Sequence, residues 1–377
     1  MSQEDQSTKD PSRAQAEALK AMDAPLLQYE PRKPKSYRPK IGLIGCGGIT
    51  KQHLTAYKKE GYEVVALCDL REEAAQERQK EYYPEAKIYT NPAQLLERDD
   101  IEVVDIALHP KPRAAVVRQA LEAGKHVLSQ KPFVLDLDLG QELIDLAEAK
   151  GRRLAVNQNG RWAPYVSYAR ELIQAGHLGD VYCANVAIHW NHTWCAGTEF
   201  EKIHHLILYD FGIHWFDMLV QFFGDAAPTQ VFASTAQVPG QVMKPPMLAN
   251  ASVVYPNGGA TLTFNGHCES GPGSEVITIA GTKGILYHEG GVCGNGRNRL
   301  MVGDREASIP ELSGTWMPDG FRGTMGELLC AIEEDREPMN SARNNLQSLA
   351  VCFAAMGSAD AGRPLQPGEV RQFSLEG

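Results

Sequence analysis

The stretch "KIGLIGCGGITKQHLTAYKKEGYEVVALCDL", residues 40 to 70, decides the fold. Its first part, "KIGLIGCG", is a continuous apolar run ending in glycine, as expected of a strand buried on both faces. "ITKQHLTAYKKEG" then reads as a helix closed by Gly61, the residue type that most readily ends a helix. "YEVVALCDL" is a second apolar strand that ends in an acid. Strand, glycine turn, helix and strand in this order imply a parallel sheet covered by helices.

The turn has the form Gly45-x-Gly47 and lies between a strand end and a helix start, which gives a weak glycine pattern its force. Gly45 permits the tight turn, Gly47 lets the backbone approach a pyrophosphate, and the amides of Gly48 and Ile49 face negative charge. The third small position is Thr50, which predicts slightly looser packing of helix on strand. Asp69 ends the second strand, 24 residues after Gly45. A carboxylate there can accept hydrogen bonds from both hydroxyls of an adenosine ribose and repel a 2′-phosphate. NAD is therefore the expected cofactor, and nearby Arg71 leaves NADP open. The competing reading is a glycine turn in a sheet that binds nothing.

Outward from this unit the rhythm continues. "REEAAQERQKEYY" is a helix, "IEVVDIALH" a strand, "PRAAVVRQALEAG" a helix, "KHVLSQ" a strand, "DLDLGQELIDLAEAKG" a helix and "RRLAVNQN" a strand. The fold class predicted is α/β, with an amino-terminal doubly wound parallel sheet. From Gly179 to about Ile309, strands such as "ANVAIHW" and "EVITIAGTKGILYHEG" are broken by Gly, Pro and Asn. "YPNGGA" and "GTKG" read as hairpin turns. This part is expected to be an α+β domain with an open-faced, mainly antiparallel sheet, followed by the helices "RGTMGELLCAIEED" and "ARNNLQSLAVCFAAMGSAD". The expected division is a flexible arm over residues 1–38 with one short helix around Ala14 to Met22, a nucleotide-binding domain over 39–160, and a substrate-binding and oligomerisation domain over 161–377.

Composition narrows the partners. A formal net charge of -10 argues against nucleic acid or an anionic membrane. The basic cluster "PRKPKSYRPK", residues 31–40, reads as a solvated linker. Cysteines at 46, 68, 183, 195, 268, 293, 330 and 352 include no C-x-x-C pair and suit reduced core positions. The polar start "MSQEDQSTKDPSR" lacks the apolar core of a secretion signal, and no apolar stretch reaches membrane-spanning length. A cytoplasmic location is expected.

Further along, "LYDFGIHWFDML", residues 208–219, is an apolar helix by its spacing, with Phe211, Trp215, Met218 and Leu219 on one face. Asp210, His214 and Asp217 recur at helical spacing on a neighbouring face. Upstream, "KHVLSQKP" ends in Lys131-Pro132, and the carboxyl end of a parallel strand is where ligands sit. Taken alone, Lys131 would be a surface lysine and His214 a core histidine.

The glycine turn, "QKP", "NQNGRWAP" and "YDFGIHWFD", in this order and at these distances, resemble the Gfo/Idh/MocA family of oxidoreductases. The resemblance covers about residues 39 to 377. It implies a Rossmann domain joined to an open-faced antiparallel sheet, and a sugar, cyclitol or glycoside as substrate. The family's Glu-Lys-Pro motif falls on Gln130-Lys131-Pro132, so its glutamate is replaced. Its lysine, which contacts nicotinamide ribose and substrate hydroxyl, maps to Lys131, and its acid and histidine map to Asp210 and His214. The loop "ALHPKPR" brings Leu108 toward the cofactor, with Arg113 where many relatives carry His. Gln130 is expected to bond the cofactor ribose.

Such a set suits hydride transfer. His214 has the near-neutral pKa of a base for the hydroxyl proton, Lys131 can stabilise the developing oxyanion, and Asp210 can fix the imidazole or bind a neighbouring hydroxyl. Asp217 reads as structural. Asn159 is a candidate for the nicotinamide end and Arg161 for substrate, with a hinge network as the other reading of both. Trp190, His192 and Trp194 of "HWNHTW" could offer aromatic faces to a sugar ring or simply pack a loop. His189, His192, His204 and His205 lack a metal-ligand spacing, so no metal is expected. A homo-oligomer, dimer or tetramer, is expected because an open sheet face needs covering. Two other functions stand beside the dehydrogenase: an enzyme that recycles NAD while cleaving a glycoside or eliminating, and a non-catalytic nucleotide-binding regulator.

Overall fold

The computed structural model describes residues 19–268 and 271–375. A two-residue strand, β1 (Lys20–Ala21), precedes the parallel sheet and belongs to the other one. Then follow β2 (Lys40–Ile44), α1 (Thr50–Glu60), β3 (Glu63–Cys68), α2 (Glu72–Tyr82), β4 (Lys87–Tyr89), α3 (Pro92–Leu96), β5 (Ile101–Ile106), α4 (Pro110–Glu122), β6 (His126–Gln130), α5 (Leu137–Ala149) and β7 (Leu154–Asn157). The sheet order is β4-β3-β2-β5-β6-β7, parallel throughout. The order reverses between β2 and β5, and the crevice outside their carboxyl ends is the nucleotide position in such sheets. Neither β4 nor α3 is expected from the sequence, since both are too short to show a period.

The second half runs α6 (Pro164–Gln174), β8 (Val181–His189), α7 (Ile213–Phe222), β9 (Gln230–Ala236), β10 (Leu248–Tyr255), β11 (Gly258–Asn265), β12 (Ser274–Gly281), β13 (Gly284–Gly290), β14 (Arg297–Val302), β15 (Arg305–Ile309), α8 (Asp319–Glu333) and α9 (Ala342–Ala361). Its nine strands lie in the order β1-β15-β14-β13-β12-β8-β11-β10-β9, antiparallel except for β1 with β15 and β8 with β11. The hairpins expected at "YPNGGA" and "GTKG" are there, pairing Tyr255 with Gly258 and closing β12 onto β13. Burial alternates along β9, β10 and β11, so one face meets α7 and α9 while the other exposes Tyr182, Phe232, Val254 and Val276.

Helix α8 lies in the range expected to form the second domain, yet it covers the parallel sheet. Phe321, Met325, Leu328 and Leu329 share a buried core with Ile41, Leu43, Leu54 and Tyr57. A parallel sheet needs both faces covered, and the end of the chain supplies part of one cover. The α8–α9 connection also extends the β7 edge: Val156 N–H donates to the Asn340 carbonyl at 2.8 Å, and Asn340 Nδ2 returns a bond to the Val156 carbonyl at 2.9 Å.

The expected flexible arm needs correction over residues 19–38. Met22 falls outside any helix, Lys20 and Ala21 pair with Arg305 and Glu306, and residues 14–18 lie outside the described residues. Tyr29 packs edge-on against Tyr168, whose hydroxyl donates to the Pro25 carbonyl at 2.7 Å. The basic cluster is docked, with Arg32 on Glu334 and the amides of Lys35, Ser36 and Tyr37 all donating to Glu333. The cause is electrostatic: two acids end α8, where the helix dipole is already negative, and basic chain neutralises them. No disulfide joins the cysteines among the described residues. No helix among the described residues is long and apolar enough to cross a membrane.

Candidate active site

The glycine turn closes as its sequence requires. Gly45 has φ of +94°, and a Cβ there would stand 2.6 Å from the Ala107 carbonyl oxygen at the end of β5. Gly47 and Gly48 face open space, with nothing within 4 Å of an added Cβ. No side chain caps the start of α1, and while the amides of Thr50, Lys51 and Gln52 bond back to the carbonyls of Gly47, Gly48 and Ile49, those of Gly48 and Ile49 stand before the helix in the open turn. Thr50 does not loosen the packing: it is wholly buried and its hydroxyl bonds the Gly47 carbonyl at 2.6 Å. The Asp69 carboxylate accepts from Cys46 N–H at 2.8 Å, which ties the end of β3 to the turn. An open glycine cradle, an uncapped helix start and a distal acid fit a dinucleotide.

Lys131 follows β6, and its Nζ donates to the carbonyl oxygen of Asp210 at 2.7 Å and to the Asp210 carboxylate at 3.3 Å. That carbonyl is presented by a local departure from the helix the sequence implies. Residues Ile207–Phe211 form a π-turn, Gly212 N–H reaching back to the Ile207 carbonyl, before α7 begins at Ile213. Such widened turns recur at functional sites. Lys131 Nζ also stands 5.9 Å from the Phe211 ring centroid.

His214 lies one turn further on, edge-on to Trp316, with its Nδ1 3.3 Å from Gln158 Nε2. Gly160 presses against it, since a Cβ there would lie 3.3 Å from Nδ1. Burial first, and then the Lys131 charge, push its pKa well below the usual histidine value, so the ring is neutral. Lys131, from the first half of the chain, is thus brought onto Asp210 and within electrostatic reach of His214, both from the second half.

Several expected contacts turn out otherwise. Gln130 is buried, its Nε2 3.1 Å from His53 Nε2 and its Oε1 accepting the Lys131 amide at 2.8 Å, so it supports Lys131 instead of facing a ribose. Asn159 is held by Trp316 Nε1–H at 2.7 Å and donates to the Asn157 carbonyl. Arg161 is held against Asp217 by two bonds of 2.7 and 2.6 Å and donates to Met339, so its guanidinium is engaged by the protein itself and the two residues form a buried clamp. His192 is wholly buried, with Nδ1 2.8 Å from the Trp190 carbonyl and its ring 3.7 Å from Phe211; burial pushes its pKa down to about 4. Trp190 is half-buried and Trp194 is 57% exposed, so these two carry the aromatic surface. Leu108 is half-buried beside the Gly45 turn.

Other residues escaped the sequence reading. Asp105 accepts from the Tyr57 hydroxyl at 2.7 Å and lies 2.7 Å from His53 Nδ1, whose far nitrogen meets Gln130 and Asn157. An acid inside the apolar strand "IEVVDI" was the available signal, because a buried carboxylate needs partners. Arg78 reaches the Gly47 carbonyl at 3.2 Å and has no such signature. His204, His205 and Asp360 form a group able to hold a metal by distance alone. His205 Nδ1 is buried without a partner, however, so ligation through Nε2 would leave an Nδ1–H with nothing to accept it.

Fold and site together define a two-domain, nucleotide-dependent oxidoreductase. The chain belongs to the GFO/IDH/MocA oxidoreductase family: residues 39–158 match its NAD-binding Rossmann model and residues 166–287 match a model of its carboxyl-terminal domain. A D-apiose dehydrogenase of Paraburkholderia graminis is 26% identical over 87% of this chain and 90% of its own length. An inositol 2-dehydrogenase of Salmonella typhimurium is 30% identical, but over only 48% of this chain and 53% of its own. Among solved structures, an oxidoreductase of Agrobacterium radiobacter in complex with NAD+, L-tartaric acid and magnesium superposes with a TM-score of 0.79 at 20% identity, covering 88% of this chain and 99% of that one.

Proposed function

We propose that the protein is an NAD-dependent dehydrogenase of a ring hydroxyl in a sugar, cyclitol or glycoside. The observation that carries this reading is the meeting of an ammonium, a carboxylate and a neutral imidazole beside an open glycine turn. The names of the relatives, which are dehydrogenases of apiose and of inositol, favour the same substrate class.

A nicotinamide dinucleotide held at the Gly45–Ile49 turn and by Asp69 would supply the chemistry of hydride acceptance from the carbinol carbon, or its return. His214 accepts the hydroxyl proton at Nε2, the ring being neutral; this requires Nδ1 to carry the resting proton and the Gln158 amide, 3.3 Å away, to present its oxygen there. Lys131 turns a donor from Asp210 toward the substrate oxygen as negative charge grows there. Asp210 orients the Lys131 ammonium and a neighbouring hydroxyl. Asp69 favours NAD over NADP by repelling a 2′-phosphate.

The test is a panel with NAD, containing D-apiose, inositol, other sugars and methyl glycosides, followed by NADH absorbance. At least one member should generate NADH, and His214→Ala and Lys131→Ala should each lower kcat by about 100-fold or more while NADH still binds. Unchanged turnover in either variant removes the assignment. Product formed without NADH accumulation would instead favour the NAD-recycling enzyme.

A further inference from the structure

Arg113 is a buried cation in the first half of α4, 2% exposed, and its guanidinium is held by main-chain carbonyls. Nε donates to the Leu108 carbonyl at 2.9 Å, and Nη2 shares that acceptor. Nη1 donates to the Pro132 carbonyl and, at 3.5 Å, to that of Phe133, while Nη2 lies 3.4 Å from the Lys131 carbonyl. One planar fork therefore spans the segment after β5 and the segment after β6. These are neighbouring strands, and the second segment carries Lys131.

Burying a guanidinium without a bonded carboxylate is costly, and carbonyl dipoles return only part of the lost hydration. Desolvation accordingly brings the Arg113 pKa down to about 10. The nearby carboxylate that favours its charge is that of Asp210, which is also the partner of Lys131. Asp210 thus lies in the field of two cations, one that bonds it directly and one behind the loop. A lysine could supply the charge but not the fork, because an ammonium has three donors on one atom and cannot reach both segments in fixed register.

We propose that Arg113 is a positioning residue that clamps the Lys131 segment to the end of β5, so that the Lys131 ammonium is held at the Asp210 carbonyl. This rests on the reading of Lys131 as catalytic, and two measurements separate the two ideas. The first needs no substrate: the rate at which acetic anhydride labels Lys131, followed by peptide mass spectrometry on the full-length protein. In Arg113→Gln, labelling should rise several-fold because the loop is released. Labelling equal to that of the wild type overturns the proposal, whatever the enzyme acts on.

The second is a kinetic cycle on the best substrate of the panel. Arg113→Gln should lower kcat by about 10- to 100-fold, the scale of a misplacement near 1 Å, with NADH affinity kept within about threefold. Combined with Lys131→Ala it should add nothing further, since Arg113 acts through that side chain. Additive losses, or loss of NADH binding and kcat together, would mean a general structural role and overturn the proposal. Should Arg113→Gln not fold, Arg113→Lys replaces it in both measurements: it should still raise labelling and lower kcat, and wild-type behaviour overturns the clamp. A Lys131→Ala enzyme with full kcat would sink the catalytic reading alone.

Discussion

Arg113 and Arg161 are both buried guanidinium groups, and they are compensated differently. Arg161 meets the Asp217 carboxylate with two nitrogens, and Ser348 donates to the same carboxylate at 2.7 Å. Removing one partner of such a pair leaves an uncompensated charge in the interior. Arg161→Ala is therefore expected to lower unfolding free energy by roughly 3 to 5 kcal/mol, read from the urea midpoint. Its KM, measured on protein that remains folded, should change little. A raised KM with undiminished stability would restore Arg161 to the substrate. Asp217 sits one turn beyond His214 in the sequence, yet the same helical spacing sends it into this clamp and not into the cleft.

At the scale of elements, the docked segment before β2 makes a testable difference. It ties β15, α6 and α8 together through β1, Tyr29 and the Glu333 cradle. Deleting residues 1–38 should expose Tyr168 and uncover the end of α8, and thermal unfolding should begin roughly 4 °C lower or more. An unchanged Tm would mean the segment is an ornament. Its docking was not legible in the sequence, because polar and basic composition resembles a solvated linker until the acids it neutralises are known. Glu333 and Glu334 stand about 300 positions away. The glycine turn and both sheets were legible because each rests on a local period or a single φ that only glycine tolerates. That Lys131 would meet Asp210 and lie near His214 was legible by motif order. Gln130, Asn159 and Arg161 misled for a physical reason: a polar residue at a strand end can face the cleft or the domain junction, and sequence does not distinguish the two. The π-turn at Ile207–Phe211 was likewise invisible, since one inserted residue leaves the apolar pattern almost intact.

For the molecule as a whole, burial of histidines sets the response to acid. His126 and His192 have their pKa pushed down to about 4, and those of His205, His214 and His288 are also lowered, in each case chiefly by burial. In the unfolded chain each would titrate near 6.5, so below that pH the unfolded state binds protons the native state refuses. Stability is thus fully present above about 6.5 and declines as pH falls toward the folded values. Glu275 acts in the opposite sense. Bonded by Trp215 Nε1–H and the Tyr165 hydroxyl but desolvated, it has its pKa raised to about 7, so the native state takes up its proton first as pH falls. Its contribution therefore grows from pH 7 downward and offsets about one of the histidines. His126 and His192 are each worth up to roughly 2 kcal/mol between pH 6.5 and pH 5, and the other three add in the same direction, so the histidines outweigh Glu275. The urea midpoint should accordingly fall between pH 7 and pH 5, by the equivalent of about 1 kcal/mol or more. That interval lies above the range where the carboxylates held low by ion pairs begin to protonate, so they do not confuse the reading. His192→Phe, which keeps a ring against Phe211 but cannot take a proton, should flatten the decline measurably. A midpoint that is level or rises on acidification would show that these imidazoles reach water in the native protein, and with that the neutral His214 required for proton abstraction would lose its physical basis.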